Sequence, residues 1–385
     1  MVMDAFHADV LIVGAGLSGL TAAYTILKQT VGSNATSGAT HTPAKATTTM
    51  SDSAHAKPTP SITILEARNR HGGRVFSDRT LGYDYGGAWI WPGSTPHVET
   101  LIAEFGALET FPHVERTMDG ARMTKGMQSL TDSLLQSISK VEGVTVVYDH
   151  AVQSVEAVSG ADGSRVVSVS AADKPTYSAR ALVLALPPRL ASELSFSPAL
   201  PQKRLTAMRN TNTWMANTGK ILMAFDTPWW MVSGLSDTFR MPRGPIVQFF
   251  DHSDKAFDTP VLGGFITPSA PESDAELKAA VVAQLEQVFG KEKSHPTYIS
   301  VKRWYKDSYT AHTLDLQSSG GHPRPNPTLK QSEMGGLLVF AGAESAAENA
   351  GLLDGAVDAG KRAAFEIVEY LDDSDSTAHV GRSDM

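Results

Sequence analysis

The sequence predicts an α/β fold that contains a Rossmann-type dinucleotide-binding unit, and three observations support this prediction. An apolar strand, residues 10–13 (VLIV), runs directly into glycines with G-x-G-x-x-G spacing, and a helical pattern follows them. A second apolar strand, residues 61–65, ends at an acidic residue, Glu66. The 385 residues are 42% hydrophobic, which suffices for a substantial core and for two interleaved domains.

The glycines of the first motif are Gly14, Gly16 and Gly19. In this spacing the first glycine permits a tight turn, the second lets the backbone approach a pyrophosphate, and the third lets the helix pack on the strand. The N-terminus of the helix then offers free N–H groups to the anion. The motif alone is also compatible with an ordinary turn between a strand and a helix, so its meaning depends on the second strand.

The second strand carries the acidic residue that the fold requires, but Glu66 lies farther from Gly19 than the usual ~20 residues. Residues 31–60 account for the excess, because they consist mostly of Ser, Thr, Ala, Gly and Pro. A segment of this composition buries too little apolar surface to offset its ordering entropy. We therefore predict that it is a disordered insertion, and that Glu66 accepts hydrogen bonds from the ribose hydroxyls of an adenosine.

Composition and charge exclude several classes of protein. The 33 Lys and Arg against 41 Asp and Glu give a net charge of −8, which argues against a nucleic-acid partner. We expect no membrane span and no signal peptide, and hence a cytoplasmic protein. The absence of cysteine removes disulfides, thiolate nucleophiles and cysteine-ligated metals, and no metal site is predicted.

Two stretches after Glu66 are more specific: residues 65–77 (LEARNRHGGRVFS) and 83–93 (YDYGGAWIWPG). They resemble the flavin-dependent amine oxidase family, which includes monoamine, polyamine and L-amino-acid oxidases. The resemblance implies FAD as the dinucleotide, with the acid on the adenosine ribose, the Gly-Gly-Arg turn along the pyrophosphate and ribityl chain, and the second Gly-Gly under the flavin. The cofactor-binding residues that it implies here are Glu66, Arg68, Gly73, Arg74, Gly87, Ala88 and Trp89.

The resemblance continues in the middle and at the end of the chain. Residues 337–371 are similar to the closing segment of the family, which implies that Gly342 and Glu344 lie at the ribityl and phosphate region. It also implies that Leu353 contacts the cofactor, and that the following helix directs its positive end at the flavin. The family valine whose backbone recognises the adenine corresponds to Val152.

Such interleaving implies a split FAD-binding domain with a mixed sheet and helices, formed by residues 1–100, 121–190 and 335–372. Residues 101–120 and 191–334 are predicted to form a smaller α+β substrate domain. The polar residues 373–385 are predicted to be a disordered tail.

Two residues of the predicted substrate domain are candidates for catalysis. Residues 218–230 (TGKILMAFDTPWW) place Lys220 ten residues before Trp230, as in the family segment whose lysine holds a water against flavin N5. The alternative is a strand lysine that points into solvent, because alternation exposes half of many strands. Residues 303–313 resemble the strand that carries an active-site tryptophan, here Trp304.

Two departures from the family bear on the substrate. The two positions where many members carry the aromatic residues that frame the amine are Leu352 and Leu314. The long helical segment that normally roofs the substrate cavity is reduced to residues 109–124. Three alternatives follow: an open site, a site closed by a partner subunit such as a homodimer would supply, or an impaired family member.

The resemblance implies an FAD-dependent oxidoreductase that oxidises the C–N bond of a small amine or amino acid to an imine, with O2 reduced to H2O2. Without cysteine, FAD is expected to bind noncovalently. The alternatives are a flavin desaturase or dehydrogenase that acts on a non-amine substrate, and a flavin-binding protein that has lost turnover.

Overall fold

The structure is a computed structural model. It describes residues 6–36, 58–106, 108–114, 119–159, 165–232, 234–235, 237–254, 256–317 and 321–383.

The secondary structure alternates between strands and helices along the chain. The strands are β1 (Phe6–Val13), β2 (Ile62–Leu65), β3 (Trp89–Ile90), β4 (Thr110–Val114), β5 (Asp119–Met123), β6 (Val144–Val147), β7 (Ser154–Ser159), β8 (Arg165–Ser170), β9 (Tyr177–Leu184), β10 (Ser195–Ser197), β11 (Gly219–Ala224), β12 (Thr238–Arg240), β13 (Ile246–Asp251), β14 (Val261–Ile266), β15 (Tyr298–Arg303) and β16 (Leu338–Phe340). The α-helices are α1 (Leu17–Thr36), α2 (Pro96–Glu104), α3 (Gln128–Ile138), α4 (Pro188–Ala191), α5 (Gln202–Asn210), α6 (Trp229–Val232), α7 (Asp274–Phe289), α8 (Thr313–Leu316), α9 (Pro327–Lys330) and α10 (Leu353–Ser383).

The larger sheet has the order β10-β7-β8-β9-β1-β2-β6, with β16 also paired to β9. Strands β6, β2, β1, β9 and β16 run parallel, whereas β7, β8 and β9 form an antiparallel meander. Because parallel strands end at one edge, the residues that follow β1, β2, β9 and β16 meet there. The predicted mixed sheet is therefore present, and its carboxyl edge brings Gly14 and Glu66 together.

Both faces of the larger sheet are covered, which explains why β1 reads as an uninterrupted apolar run. Val10 and Ile12 pack in one core, to which α1, α3 and α10 contribute. Leu11 and Val13 pack in a second core on the opposite face. Alternation along the strand thus sends successive apolar side chains into different cores.

The smaller sheet is antiparallel, with the order β12-β13-β14-β11-β15. On β11, Ile221 and Met223 belong to a core that α7 shares. Leu222 and Ala224 belong to a different cluster, which includes Trp304. Since Lys220 alternates with Ile221, it lies on the same face as Leu222 and does not face α7.

The end of one helix and the extent of the larger sheet differ from the sequence predictions. Helix α1 continues to Thr36, inside the predicted insertion 31–60, of which residues 37–57 lie outside the described residues. Strand β10 pairs with β7, so the larger sheet extends past residue 190, where we predict a domain boundary. The domain division itself stays a prediction.

Helix α10 continues to Ser383, inside the segment 373–385 that we predict to be a disordered tail, and the disorder itself stays a prediction. An established helix gains a hydrogen bond for each residue added, so extension past a packed segment costs little. Asp375 also forms an ion pair with Arg180 on β9.

No helix in the described ranges is both long and apolar enough to span a bilayer.

Candidate active site

A cavity of about 370 Å³ runs from the carboxyl edge of the larger sheet to one face of the smaller sheet. Most of the predicted site residues line it: Gly14, Gly16, Glu66, Arg68, Gly73, Arg74, Gly87, Ala88, Trp89, Val152, Lys220, Trp304 and Leu353. Residues that are far apart in sequence thus meet at one cavity. Gly19, Gly342 and Glu344 are not among its lining residues.

The turn after β1 requires its glycines for two different reasons. Gly14 has φ +105°, and a Cβ there would lie 2.8 Å from the carbonyl oxygen of Ala185. At Gly19 a Cβ would lie 2.0 Å from the carbonyl oxygen of Gly14. Gly19 therefore permits the helix to pack against the turn, whereas Gly14 and Gly16 present the backbone to the cavity.

Glu66 ties the end of β2 to this turn. Its buried carboxylate accepts hydrogen bonds from the backbone N–H groups of Ala15 through Oε2 and of Arg68 through Oε1, both at 2.9 Å. These bonds fix the carboxylate at the entry of the glycine turn.

Arg68 joins the larger sheet to the loop after β15. Its guanidinium forms an ion pair with Asp307 at 2.7 Å and donates a hydrogen bond to Thr310 at 2.9 Å. The cofactor contact that the resemblance implies for Arg68 stays a prediction. The structure adds a bond between the two parts of the cavity wall.

Gly342 and Glu344, which the resemblance places at the ribityl and phosphate region of the cofactor, are not among the lining residues of the cavity, and their role in binding the cofactor stays a prediction. Glu344 is fully buried and binds Arg74 through both carboxylate oxygens, at 2.5 and 3.2 Å. A Cβ at Gly342 would lie 2.2 Å from the carbonyl oxygen of Leu186, so this glycine permits close backbone packing. Both residues lie behind the cavity wall, where Glu344 fixes the orientation of Arg74.

Lys220 and Trp304 reach from the smaller sheet to three consecutive backbone carbonyls. The Nζ of Lys220 donates to the oxygens of Asp84 at 2.9 Å and Gly86 at 2.7 Å. The Nε1 of Trp304 donates to the oxygen of Tyr85 at 2.8 Å. Both side chains are buried, so they hold the segment before Gly87 from one side.

The charge of Lys220 is sensitive to its surroundings. Burial lowers the pKa of Lys220 to about 7, although the nearby carboxylate of Asp84 favours the ammonium form. Burial raises the pKa of Asp84 to about 6, against a hydrogen bond from Ser77 and the charge of Lys220. The cavity thus holds an amine that can change its protonation state near neutral pH.

The end of the cavity near β2 fits an adenosine. His150 is buried and lines the cavity, and its Nε2 has no hydrogen-bond partner among the described residues. It lies next to Glu66, whose carbonyl oxygen accepts from the N–H of His150 at 2.9 Å. Gly73 and Gly16 approach so closely that a Cβ on Gly73 would lie 3.2 Å from Cα of Gly16. An unpaired buried nitrogen and bare backbone suit a polar, phosphate-containing ligand.

Sequence reasoning missed several aromatic residues that line the cavity, among them Trp214 and Phe265. Phe265 stands directly opposite Lys220 in the β11–β14 register, so strand alternation could have indicated it. Trp214 lies in the loop before β11, and no sequence pattern marks it. Leu352 lines the cavity, whereas Leu314 is exposed and is not among the lining residues.

Comparison with known proteins gives one family. The model of the family described as flavin containing amine oxidoreductase matches residues 17–119 and 107–368. A probable flavin-containing monoamine oxidase A from Dictyostelium discoideum is 28% identical over 202 residues, which cover 51% of this chain and 43% of that protein. A flavin-containing amine oxidase from Oncorhynchus mykiss is 26% identical over 211 residues, which cover 53% of this chain and 40% of that protein. The chain thus spans less than half the length of these relatives.

Solved structures resemble the whole fold. Cyclohexylamine oxidase from Brevibacterium oxydans has a TM-score of 0.72 at 18% identity, over 95% of this chain and 99% of that one. Wild-type putrescine oxidase bound to putrescine has a TM-score of 0.70 at 18% identity, over 95% and 100%. These neighbours confirm the predicted α/β fold.

Proposed function

The chain belongs to the flavin-containing amine oxidoreductase family, whose cofactor is FAD, and on that premise we propose that it oxidises the C–N bond of a small amine to an imine with O2 as acceptor. One observation carries the proposal. A single cavity joins the glycine turn of the larger sheet to Lys220 of the smaller sheet. A dinucleotide and a small substrate can therefore meet inside it.

FAD, when bound, supplies the chemistry by accepting a hydride from the carbon next to the amine nitrogen, and the protein supplies placement and electrostatics. The residues that would hold it are those of the glycine turn together with Glu66, Arg74 and His150. The backbone N–H groups at the start of α1 would stabilise its phosphates. Arg74 lines the cavity and is held in place by Glu344.

Lys220 is proposed to hold a water molecule in the cavity. A lysine ammonium has three N–H donors, and the oxygens of Asp84 and Gly86 accept from two of them. The third is proposed to bind a water on the cavity side, since Lys220 is a lining residue. This donor can stabilise negative charge as oxygen is reduced to hydrogen peroxide.

The function is tested with the FAD-loaded full chain and a panel of amines and amino acids under anaerobic conditions. We expect at least one amine to bleach the flavin absorbance, and the subsequent addition of oxygen to restore it with one equivalent of H2O2. Bleaching by a non-amine alone would contradict the proposal. Bleaching by an amine without peroxide on reoxidation would contradict only the choice of O2.

The linkage to FAD is proposed to be noncovalent, because the chain contains no cysteine for a thioether bond. We expect precipitation with acid to release all the flavin into the supernatant, where its absorbance is measured. Flavin absorbance that stays with the washed precipitate would contradict this and would indicate attachment through another side chain.

A further inference from the structure

A second cavity, which we call the outer cavity, has a wall rich in positive charge. Its volume is about 620 Å³, and it lies between the segment after β2, the start of α7, and β15 with the loop that follows it. The cationic side chains that line it are Arg68, Arg70, Lys302, Arg303 and Lys306. The acidic side chains that line it are Glu272, Asp274 and Asp307. Because the whole chain has a net charge of −8, this excess of cations is opposite to the overall charge balance.

The cations of the outer cavity are more buried than most of its acids. The side chains of Arg68 and Arg303 are 14% and 6% exposed, whereas those of Glu272 and Asp274 are 89% and 58% exposed. Water and salt screen an exposed carboxylate, so it neutralises a nearby cation only weakly. The wall therefore presents a positive potential to an anion in the outer cavity.

Asp307 is the buried acid of this wall, and two cations share it. It pairs with Arg68 at 2.7 Å and with Lys302 at 2.8 Å. Glu66 adds a longer contact to Arg68, at 3.5 Å, from the side of the candidate active site. The carboxylate of Asp307 is thus fully engaged, and none of its charge is left to neutralise Arg70.

Arg70 is the cation of this wall that lacks an acidic partner among the described residues. Its guanidinium lies 4.2 Å from the ring centroid of Phe76. It also donates to three backbone carbonyls, those of His71, Gly73 and Val75, at 3.1, 3.0 and 3.5 Å. An arginine has five N–H donors, so two of them remain for a ligand. Burial, together with the charge of the neighbouring Arg68, lowers the pKa of Arg70 to about 10, which shows that its surroundings do not compensate its charge.

We propose that the outer cavity is a binding site for a phosphate-type oxyanion, with the guanidinium of Arg70 as its main contact and Lys306 at its rim. The planar fork of a guanidinium matches two oxygens of a phosphate group. Lys306 is exposed and lies 3.8 Å from its acidic neighbour Glu272, so its ammonium is free to turn toward an anion. The site is separate from the proposed oxidation, although Arg68, Ser308 and Tyr309 line both cavities.

The test is a calorimetric titration of the FAD-loaded full chain with pyrophosphate, near neutral pH and at a constant ionic strength of about 0.15 M. We expect one pyrophosphate per chain with a Kd below about 1 mM. A parallel titration with ADP distinguishes two sources of the phosphate. Equal affinity indicates a free oxyanion, and tighter binding of ADP indicates a nucleotide. A Kd above about 1 mM for both probes overturns the inference.

Two variants remove the proposed contacts. Arg70→Met is expected to raise the Kd for pyrophosphate at least about tenfold, and Arg70→Lys to have an intermediate effect, because lysine keeps the charge but lacks the fork. Since Arg70 also holds backbone carbonyls, the flavin absorbance of each variant is recorded to verify that FAD is retained. Lys306→Met, at an exposed position, is expected to raise the Kd about threefold without a change in the unfolding midpoint.

Two further variants separate the local site from the overall charge. Lys203→Met is the matched control, because Lys203 is exposed on α5, does not line the outer cavity, and its loss changes the net charge as that of Lys306 does. It is expected to leave the Kd unchanged. Glu272→Gln removes an acid from the rim and is expected to lower the Kd about twofold.

The inference is overturned if Lys203→Met weakens binding as much as Lys306→Met. It is also overturned if Arg70→Met keeps its FAD and binds pyrophosphate as the wild type does. If Arg70→Met does not fold, the opposite shifts expected for Lys306→Met and Glu272→Gln decide, and their absence overturns the inference. The titration requires neither an amine nor turnover, so its result is independent of the proposed oxidation.

Discussion

Replacement of Arg74 by Met is expected to lower the free energy of unfolding by about 3–5 kcal/mol, because it leaves the fully buried carboxylate of Glu344 without its ion-pair partner. The loss of a bidentate arginine contact removes both the opposite charge and two donors. The measurement is the midpoint of denaturant unfolding, recorded with and without excess FAD, because a bound ligand adds stability of its own.

Two further variants separate the structural role of Arg74 from a role in binding FAD. The double variant Arg74→Met, Glu344→Leu removes both charges and is expected to recover most of the lost stability. If Arg74 also contacts FAD, this double variant is stable but binds FAD more weakly. A single variant that loses less than about 1 kcal/mol would mean that water reaches Glu344 and that the pair acts as an exposed one.

The parts of the fold that were predicted correctly are those that local sequence determines. The run from residue 10 into Gly14 encodes a buried strand and a tight turn, and the acid after β2 lies at the same sheet edge because parallel strands end together. The continuation of α10 past residue 372 was missed because its support includes a partner distant in sequence, Arg180. Polar composition alone gave no sign of it.

The candidate site also has a part that could be predicted from the sequence and a part that could not. Most of the residues that the family resemblance implied line the cavity, including Lys220, because each motif carries its own glycines and charges. The resemblance predicted Glu344 at the ribityl and phosphate region, but it gave no sign that the carboxylate of Glu344 binds Arg74, which lines the cavity. Trp214 was missed because loop geometry and the contacts of Asp315 place it, and neither has a periodic signal.

Lys220 has two roles, and both affect how a Lys220 variant is interpreted. It holds the carbonyls of Asp84 and Gly86, which is a structural task, and it is proposed to hold a water, which is a catalytic one. Trp304 binds the carbonyl between them, so the segment keeps one of its anchors when the lysine is removed. Replacement of Lys220 is therefore expected to loosen the segment before Gly87 only in part, whereas it removes the proposed water-binding donor completely.

The variant Lys220→Met is expected to slow the reaction of the reduced enzyme with oxygen about 10²-fold, with a much smaller effect on reduction by amine. Methionine keeps the length of the side chain but has no donor and no charge. FAD content is expected to change little, since Glu66 and the glycine turn lie at the other end of the cavity. The measurement is rapid mixing of each half-reaction, in the wild type and the variant.

The pH dependence separates the two roles of Lys220. Burial lowers the pKa of Lys220 to about 7, although Asp84 favours the ammonium, so the donor is charged below that pH and neutral above it. The oxygen reaction of the wild type is therefore expected to slow as the pH rises through about 7, and that of Lys220→Met to lack this step. Lys302→Met is the matched control, because Lys302 stands opposite Lys220 on β15 but pairs with Asp307 and is not a lining residue of the cavity.

Equal slowing of both half-reactions in Lys220→Met would assign the lysine to substrate placement. If both half-reactions of Lys220→Met keep the rates and the pH profile of the wild type, Lys220 has only the structural role of holding the segment before Gly87.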